Sequence, residues 1–454
     1  MTVWLARWLG PLLLVSLWGL SATASLLRRL GEHIQQFQES SAQGLGLSLG
    51  PGAAALPKVG WLEQLLDPFN VSNRRSFLQR YWVNEQHWVG EDGPIFLHLG
   101  GEGSLGPGSV MRGHPAALAP AWGALVISLE HRFYGLSIPA GGLEMAQLRF
   151  LSSRHALADV VSARLALSRL FNVSSSSPWI CFGGSYAGSL AAWARLKFPH
   201  LIFASVASSA PVRAVLDFSE YNDVVSRSLM STAIGGSLEC RAAVSAAFAE
   251  VERRLRLGGA AQAALRRELS ACGTLGSAEN QAELLGALQA LVGGAVQYDG
   301  QAGAPLSVRQ LCGLLLGGGG NRSHSTPYCG LRRAVQIVLH SLGQKCLSFS
   351  RAETVAQLRS TEPQLSGVGD RQWLYQTCTE FGFWDIDPWH VLSVTQALGS
   401  SESALLIRTG SHCLDMAPER PSDSPSLRLG RQNIFQQLQT WLKLAKESQV
   451  KGEV

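Results

Sequence analysis

The segment Trp179-Ile180-Cys181-Phe182-Gly183-Gly184-Ser185-Tyr186-Ala187-Gly188 constrains this chain most: an apolar run of strand type enters a Gly-Gly-Ser turn and leaves as a helix. A sharp strand-to-helix turn presents a hydroxyl at the end of a sheet. Ser185 sits where such a nucleophile elbow would put it, and the next backbone N–H, that of Tyr186, can face a developing negative charge at the helix N-terminus. Gly183 fills the first position of a GxSxG pattern, while Ala187 replaces its final Gly. The plainer alternative is a Gly-rich turn in which Ser185 only caps the helix.

Around this segment the pattern alternates short apolar runs with amphipathic stretches, as a parallel sheet flanked by helices does. Strands are expected at 95–99, 125–129, 179–182 and 203–207, with helices at 156–170 and 189–198. From about 212 the character changes to Ala, Leu and Arg at periods of three and four, in 242–257, 260–269 and 281–291. This helical block interrupts one α/β domain. Strand character returns at 404–407, and Ile434, Phe435, Leu438, Trp441 and Leu442 mark one face of a closing helix. The expected division is 1–24 signal peptide, 25–211 first part of the α/β domain, 212–370 helical insertion and 371–454 second part.

A serine nucleophile needs a base and an orienting acid, which in α/β hydrolases follow the serine in the order acid then His, each beyond a late strand. His412 follows the expected strand 404–407 and precedes the final helix; His390 lacks that placement. Asp385, Asp387 and Asp415 compete for the acid, and Asp387-Pro388-Trp389 is favoured because Pro enforces a turn just after the carboxylate. The glycine loop Gly100-Gly101-Glu102-Gly103 follows the strand 95–99, so the Gly101 N–H is the candidate second oxyanion donor. It is not a phosphate loop, since no Lys-Ser/Thr follows. Glu130-His131-Arg132 reads as a structural ion network beside the active centre.

The N-terminus reads as a secretory signal. Arg7 precedes an apolar run through Leu12, Leu13, Leu14, Val15 and Leu20, followed by Ala22-Thr23-Ala24, with cleavage expected after Ala24. The run is far short of the roughly 20 residues that span a bilayer, so no membrane span is expected. Sequons at Asn70, Asn172 and Asn321 agree with a secretory route. Eight Cys in an oxidising lumen favour disulfides over metal, no CxxC or HExxH spacing points to a metal site, and the pairing is not readable. The Cys from 240 to 378 place the staples in the helical block and its borders. The 38 Lys and Arg against 33 Asp and Glu leave a net charge of +5, too weak to suggest nucleic acid as a partner.

Gly183-Gly184-Ser185-Tyr186 with Leu190-Ala191-Ala192-Trp193, Glu130-His131-Arg132-Phe133-Tyr134-Gly135, Gln79-Arg80-Tyr81-Trp82, Tyr375-Gln376-Thr377-Cys378-Thr379-Glu380-Phe381-Gly382 and Asp387-Pro388-Trp389 carry a resemblance. Together, in their order along the chain, they resemble the lysosomal Pro-Xaa carboxypeptidase and dipeptidyl peptidase II family of serine peptidases. The resemblance implies an α/β-hydrolase fold with a helical, disulfide-bearing cap inserted after the nucleophile half. It implies Ser185 as nucleophile, Asp387 as acid and His412 as base, peptides with Pro near a chain end as substrates, and no metal or organic cofactor. An endosomal or lysosomal compartment and peptide processing for thymic antigen presentation are implied in the same way, with secretion as the alternative. Oligomeric state is not readable.

Two departures stand out. His155 stands where the family usually has Gln. Between Phe381-Gly382-Phe383 and Asp387-Pro388-Trp389 the family carries several dozen residues, including a strand that ends just before the acid, and here that segment is absent. The chain thus looks like a shortened form, whose catalytic residues are expected to be present but whose activity and secretion are expected to be low. The rival readings are an inactive glycoprotein that misfolds or only binds peptides, and an esterase or lipase.

Overall fold

Residues 20–46, 57–213, 220–317, 326–362, 369–381, 402–408 and 410–450 are described in a computed structural model. The first element is a helix, α1 (Leu20–Gly46), which begins before the expected cleavage point at Ala24. Two strands follow, β1 (Lys58–Leu65) and β2 (Ser76–Asn84). Neither is among the expected strands, although the outer–inner alternation of Ser76-Phe77-Leu78-Gln79-Arg80-Tyr81 is a period-2 signal. Then come β3 (Ile95–Leu99), α2 (His114–Trp122), β4 (Leu125–Leu129), α3 (Ser153–Leu170), β5 (Trp179–Gly184), α4 (Tyr186–Lys197) and β6 (Ala204–Ser208).

These strands form one mixed sheet in the order β1-β2-β4-β3-β5-β6. β1 and β2 are antiparallel, β2 is antiparallel to β4, and β4, β3, β5 and β6 are parallel, with Leu97 opposite both Ile127 and Cys181. β3, β4 and β5 are largely apolar and buried along almost all their length because both of their faces are covered, whereas β6 at the edge of the sheet is only partly buried. Phe96, Val126, Ile180 and Phe182 pack on one side with Leu118 and Ala119 of α2, while α4 lies against β3, β5 and β6.

The residues from Leu216 to Ser360 belong to a second compact unit, which is helical. It contains α5 (Glu220–Ser228), α6 (Leu238–Leu257), α7 (Gly259–Glu268), α8 (Ala278–Gln297), α9 (Val308–Leu315), α10 (Pro327–Ser341) and α11 (Arg351–Arg359). Side-chain oxygens of Ser237, Ser277, Ser307, Thr326 and Ser350 accept from the third residue of the helices they precede, which satisfies donors that have no intrahelical partner. α8 buries Leu284, Ala287, Leu288 and Leu291. Disulfides Cys240–Cys312 and Cys272–Cys346 staple this unit.

The chain returns to the sheet unit with α12 (Asp370–Gln376), a π-turn over Thr377–Phe381, and α13 (Pro425–Val450). Leu438 and Leu442 of α13 are buried in the core beside α2, with Ile434, Phe435 and Trp441 against them, as the apolar stripe predicts. Two expectations need correction. Residues 404–407 join no ladder among the described residues, and Leu405 and Leu406 are 42% and 68% exposed. A strand is made by the neighbour it pairs with, and apolar character alone does not supply one. Cys181, Cys329, Cys378 and Cys413 form no further disulfide among the described residues. Cys181 is enclosed within β5, where burial pushes its thiol up to about 12.

Candidate active site

β5 is buried along its length until Gly184, and the chain then reverses into α4 through Ser185 at φ 57° and ψ −132°. A non-glycine residue in that region is strained and persists only where its surroundings over-determine it. They do so here. The Ser185 N–H donates to Ser208 O of β6 at 2.9 Å, and the Ser185 carbonyl accepts the first helical bond from Ser189 N at 3.1 Å. A Cβ on Gly183 would lie 2.1 Å from Ala187 O, and one on Gly188 would lie 2.8 Å from Ser208 O. Gly188 is therefore the glycine that lets helix and sheet approach, which is why Ala187 is tolerated where the pattern has Gly. Ser185 makes no capping bond to the helix and lacks the extended backbone of a cap, contrary to the plainer alternative.

Gly101 lies beside the start of α4: a Cβ built on it would be 3.5 Å from both the Ala187 N and Cβ. The two glycine-bearing turns, after β3 and after β5, thus meet at one end of the sheet. The N–H groups of Tyr186, Ala187 and Gly188 have no carbonyl four residues back within the helix, the usual condition of a helix N-terminus.

Buried ion pairs surround this end of the sheet. Arg132 donates to both carboxylate oxygens of Asp159 at 2.7 Å and to Leu66 O and Phe150 O, and Arg80 pairs with Glu130 at 2.6 Å. Glu130 also accepts from Leu105 N, Leu136 N and Ser137 Oγ, so its carboxylate is committed to tying loops together. His131 is buried, which lowers its pKa to about 4.

His412 lies on the turn leading into a short 3-10 segment, Leu414–Met416, and that turn is pressed against the elbow. A Cβ on Gly184 would sit 2.8 Å from Cys413 Sγ, and Cys413 N donates to Ser209 Oγ at 3.0 Å. Burial lowers the His412 imidazole to about 3. Its ring is not joined to Ser185 by any described hydrogen bond. The carboxylate of the rival acid Asp415 accepts from Ser208 Oγ. Asp385, Asp387 and His390 lie outside the described residues, as does Asn321, whereas Asn70 and Asn172 are exposed.

Arg431 of α13, which sequence reasoning missed, holds the His412 turn. Its guanidinium donates to Leu414 O, Asp415 O and Ala417 O at 2.8 to 3.1 Å and pairs with buried Asp423 at 2.6 Å. The signal was a charge on an apolar stripe, since Leu427, Arg431, Ile434 and Leu438 share one helix face. The Tyr186 phenol, also missed, is buried and hydrogen-bonded to His131 and Gln376.

The family model described as serine carboxypeptidase S28 matches this chain in two segments, 64–385 and 384–434. The human thymus-specific serine protease is 84% identical over 514 aligned positions that take in 100% of both chains; with 454 residues here, about 60 positions (514 − 454) face no residue of this chain. The family match divides at 384–385, just before Asp387, where the resemblance expects the absent stretch. The mouse thymus-specific serine protease is 70% identical over 98% of this chain and 99% of its own length. The mouse lysosomal Pro-X carboxypeptidase is 36% identical over 36% of this chain and 34% of its own. Family match and full-length relatives together show that the chain belongs to the serine carboxypeptidase S28 family of serine-type peptidases.

Proposed function

We propose that Ser185 is the nucleophile of a luminal exopeptidase, with His412 as base, Asp387 as the acid that orients it, and the N–H groups of Tyr186 and Gly101 as oxyanion donors. The observation that carries this reading is the strained, non-capping Ser185 at the β5–α4 turn, with Gly101 beside it. Ser185 Oγ attacks the scissile carbonyl while His412 takes its proton. The carbonyl oxygen becomes an oxyanion facing the two N–H groups, and the C–N bond breaks as His412 returns the proton to the leaving amine. Water, deprotonated by the same His, then releases the acyl group and regenerates Ser185. This chemistry is complete without metal or organic cofactor.

The substrate reading is a peptide cut near one end with Pro beside the cleaved bond, supported by the name of the lysosomal Pro-X carboxypeptidase relative. The helical unit, stapled by its two disulfides, is the insertion that the family resemblance describes as a cap. Residues 1–24 direct the chain into the secretory route, Asn70, Asn172 and Asn321 carry glycans, and the endosome or lysosome is the destination. Processing of peptides in the thymus follows the names of the two full-length relatives. Labelling with a fluorophosphonate tests the nucleophile, and turnover of Pro-containing peptides against simple esters tests the substrate class. Ester turnover without peptide turnover would favour the esterase reading.

The shortening supports a second reading for this particular chain. About 60 positions of the human relative face no residue of this chain, the family match divides just before the proposed acid, and residues 404–407 pair with no described strand. The triad tolerates little displacement, since about 1 Å can cost 100-fold in rate. This chain is therefore a slow member of its family, retained in part as misfolded protein.

A further inference from the structure

Tyr186 follows the proposed nucleophile, and its phenol is the middle of a buried chain of hydrogen bonds. His131 Nδ1 lies 2.7 Å from the Arg132 carbonyl oxygen, which can only accept, so Nδ1 carries the proton. Burial keeps the imidazole neutral, with its pKa lowered to about 4, so Nε2 carries only a lone pair. The Tyr186 hydroxyl, 2.9 Å away, therefore donates to His131 Nε2. The phenol oxygen in turn accepts from Gln376 Nε2 at 3.0 Å, and Gln376 Oε1 accepts from the Tyr134 hydroxyl at 2.6 Å. The longer bond suits an N–H donor and the shorter an O–H donor, which fixes the orientation of the amide. Every bond thus runs one way, from Tyr134 through Gln376, Tyr186 and His131 to the Arg132 carbonyl.

The helix that carries Gln376 is itself anchored. Gln372, one turn before Gln376 on α12, donates to Phe133 O at 3.0 Å, and the Trp373 ring lies 5.8 Å from that of Tyr186. Glu380, just beyond α12, accepts from Ser153 N and Ser153 Oγ at the start of α3. α12 is also the last described α-helix before the 384–385 junction.

We propose that His131, Tyr186 and Gln376 are positioning residues that lock the Tyr186 phenol and so fix the direction of the Tyr186 N–H toward the oxyanion. The proposal rests on the reading of Ser185 and Tyr186 given above. The Tyr186 N–H lies in the same peptide plane as the Ser185 carbonyl, which is held by the bond from Ser189 N at 3.1 Å; locking the phenol fixes the Tyr186 Cα at the other end of that plane, so the N–H turns away only if a bond at one end breaks. Gln376 brings α12 into the assembly, so the element that leads into the junction also sets the elbow.

The test uses the full chain and three variants. Tyr186→Phe removes the hydroxyl, Gln376→Glu keeps the volume but replaces a donor with an acceptor, and Tyr134→Phe cuts the far end of the chain. The rate of fluorophosphonate labelling at Ser185 is read beside hydrogen exchange of the peptide spanning 183–190. Removing an oxyanion donor costs about 100- to 1,000-fold in rate, which bounds the effect of misdirecting one. Tyr186→Phe and Gln376→Glu are expected to label about 10-fold more slowly and to raise elbow exchange by a similar factor, with a smaller effect for Tyr134→Phe. The Tyr186→Phe/Gln376→Glu double variant is expected to be no worse than the slower single one, and exchange in α8 is expected to stay at the parent level. Exchange at the elbow decides alone if labelling is too slow to read. Parent-like elbow exchange in both variants, or an equal rise in α8, overturns the positioning role. Labelling that survives Ser185→Ala would instead remove the nucleophile reading on which the proposal rests.

Discussion

Ser185 is the residue at which local geometry and proposed chemistry agree most closely. Its φ of 57° is held by the Ser208 carbonyl on one side and by glycines at 183 and 188 on the other. Ser185→Ala removes one oxygen without changing that backbone, so folding is expected to be retained while peptide turnover falls by about 10⁴- to 10⁶-fold. Turnover and circular dichroism on the same sample check this. His412→Ala is expected to match it, and the double variant to be no worse, because in the proposed mechanism the two act as one unit. Buried histidine adds a pH dependence. His131 has a folded pKa of about 4, below the roughly 6.5 of an unfolded His, so the unfolded state takes up a proton first as pH falls. Its contribution is intact above about 6.5 and is lost as pH falls toward 4; by pH 4.5 the loss is about 2 to 3 kcal/mol. Urea midpoints at pH 7 and 4.5 are expected to differ less in His131→Gln than in the parent. Equal differences would mean that His131 protonates freely in the fold.

At the scale of elements, the sequence was legible where burial alone makes the pattern. β3, β4 and β5 read as apolar runs because they lie inside a covered parallel sheet, and the β5 elbow was marked by its glycines. β1 and β2 were missed because their signal is alternation rather than an apolar run. Residues 404–407 are the converse case, with apolar strand character but no described neighbour to pair with. The His412 turn depends on contacts that no local pattern contains, chiefly those of Arg431 from α13. Arg431→Ala would leave Asp423 buried beside unsatisfied carbonyls, and breaking such a pair typically costs about 3 to 5 kcal/mol. Chemical denaturation is expected to show a loss of this size. A change below about 1 kcal/mol would mean that the turn has other support sufficient to hold it.

For the whole molecule, the two disulfides stabilise the helical unit, and the proposed effect of the absent stretch is in the opposite direction. Cys240–Cys312 and Cys272–Cys346 close loops of 72 and 74 residues, each long enough to contribute about 4 kcal/mol on the chain-entropy account. Peptide mapping without reduction is expected to recover these two pairs, and reduction to lower the thermal midpoint. Pairing of Cys240 or Cys272 with any other partner would contradict the arrangement of the helical unit. The spacing of the cysteines could not give this pairing, because eight permit 105 connectivities. The absent stretch was legible as a break between motifs, but its structural consequence was not, since a missing neighbour leaves no residue to read. Inserting the roughly 60 positions that the human relative has and this chain lacks is expected to raise both secreted yield and labelling rate. Equal yield and rate would mean that the shortening is harmless.

The most direct measurement is the site of covalent modification. The purified chain, treated to completion with a fluorophosphonate and digested, is expected to carry a single adduct on Ser185 within the peptide that spans the β5–α4 turn, formed slowly and lost in Ser185→Ala. An adduct on another serine, or none on Ser185 after exhaustive treatment of folded protein, would contradict the assignment of that turn as the nucleophile elbow of a working peptidase.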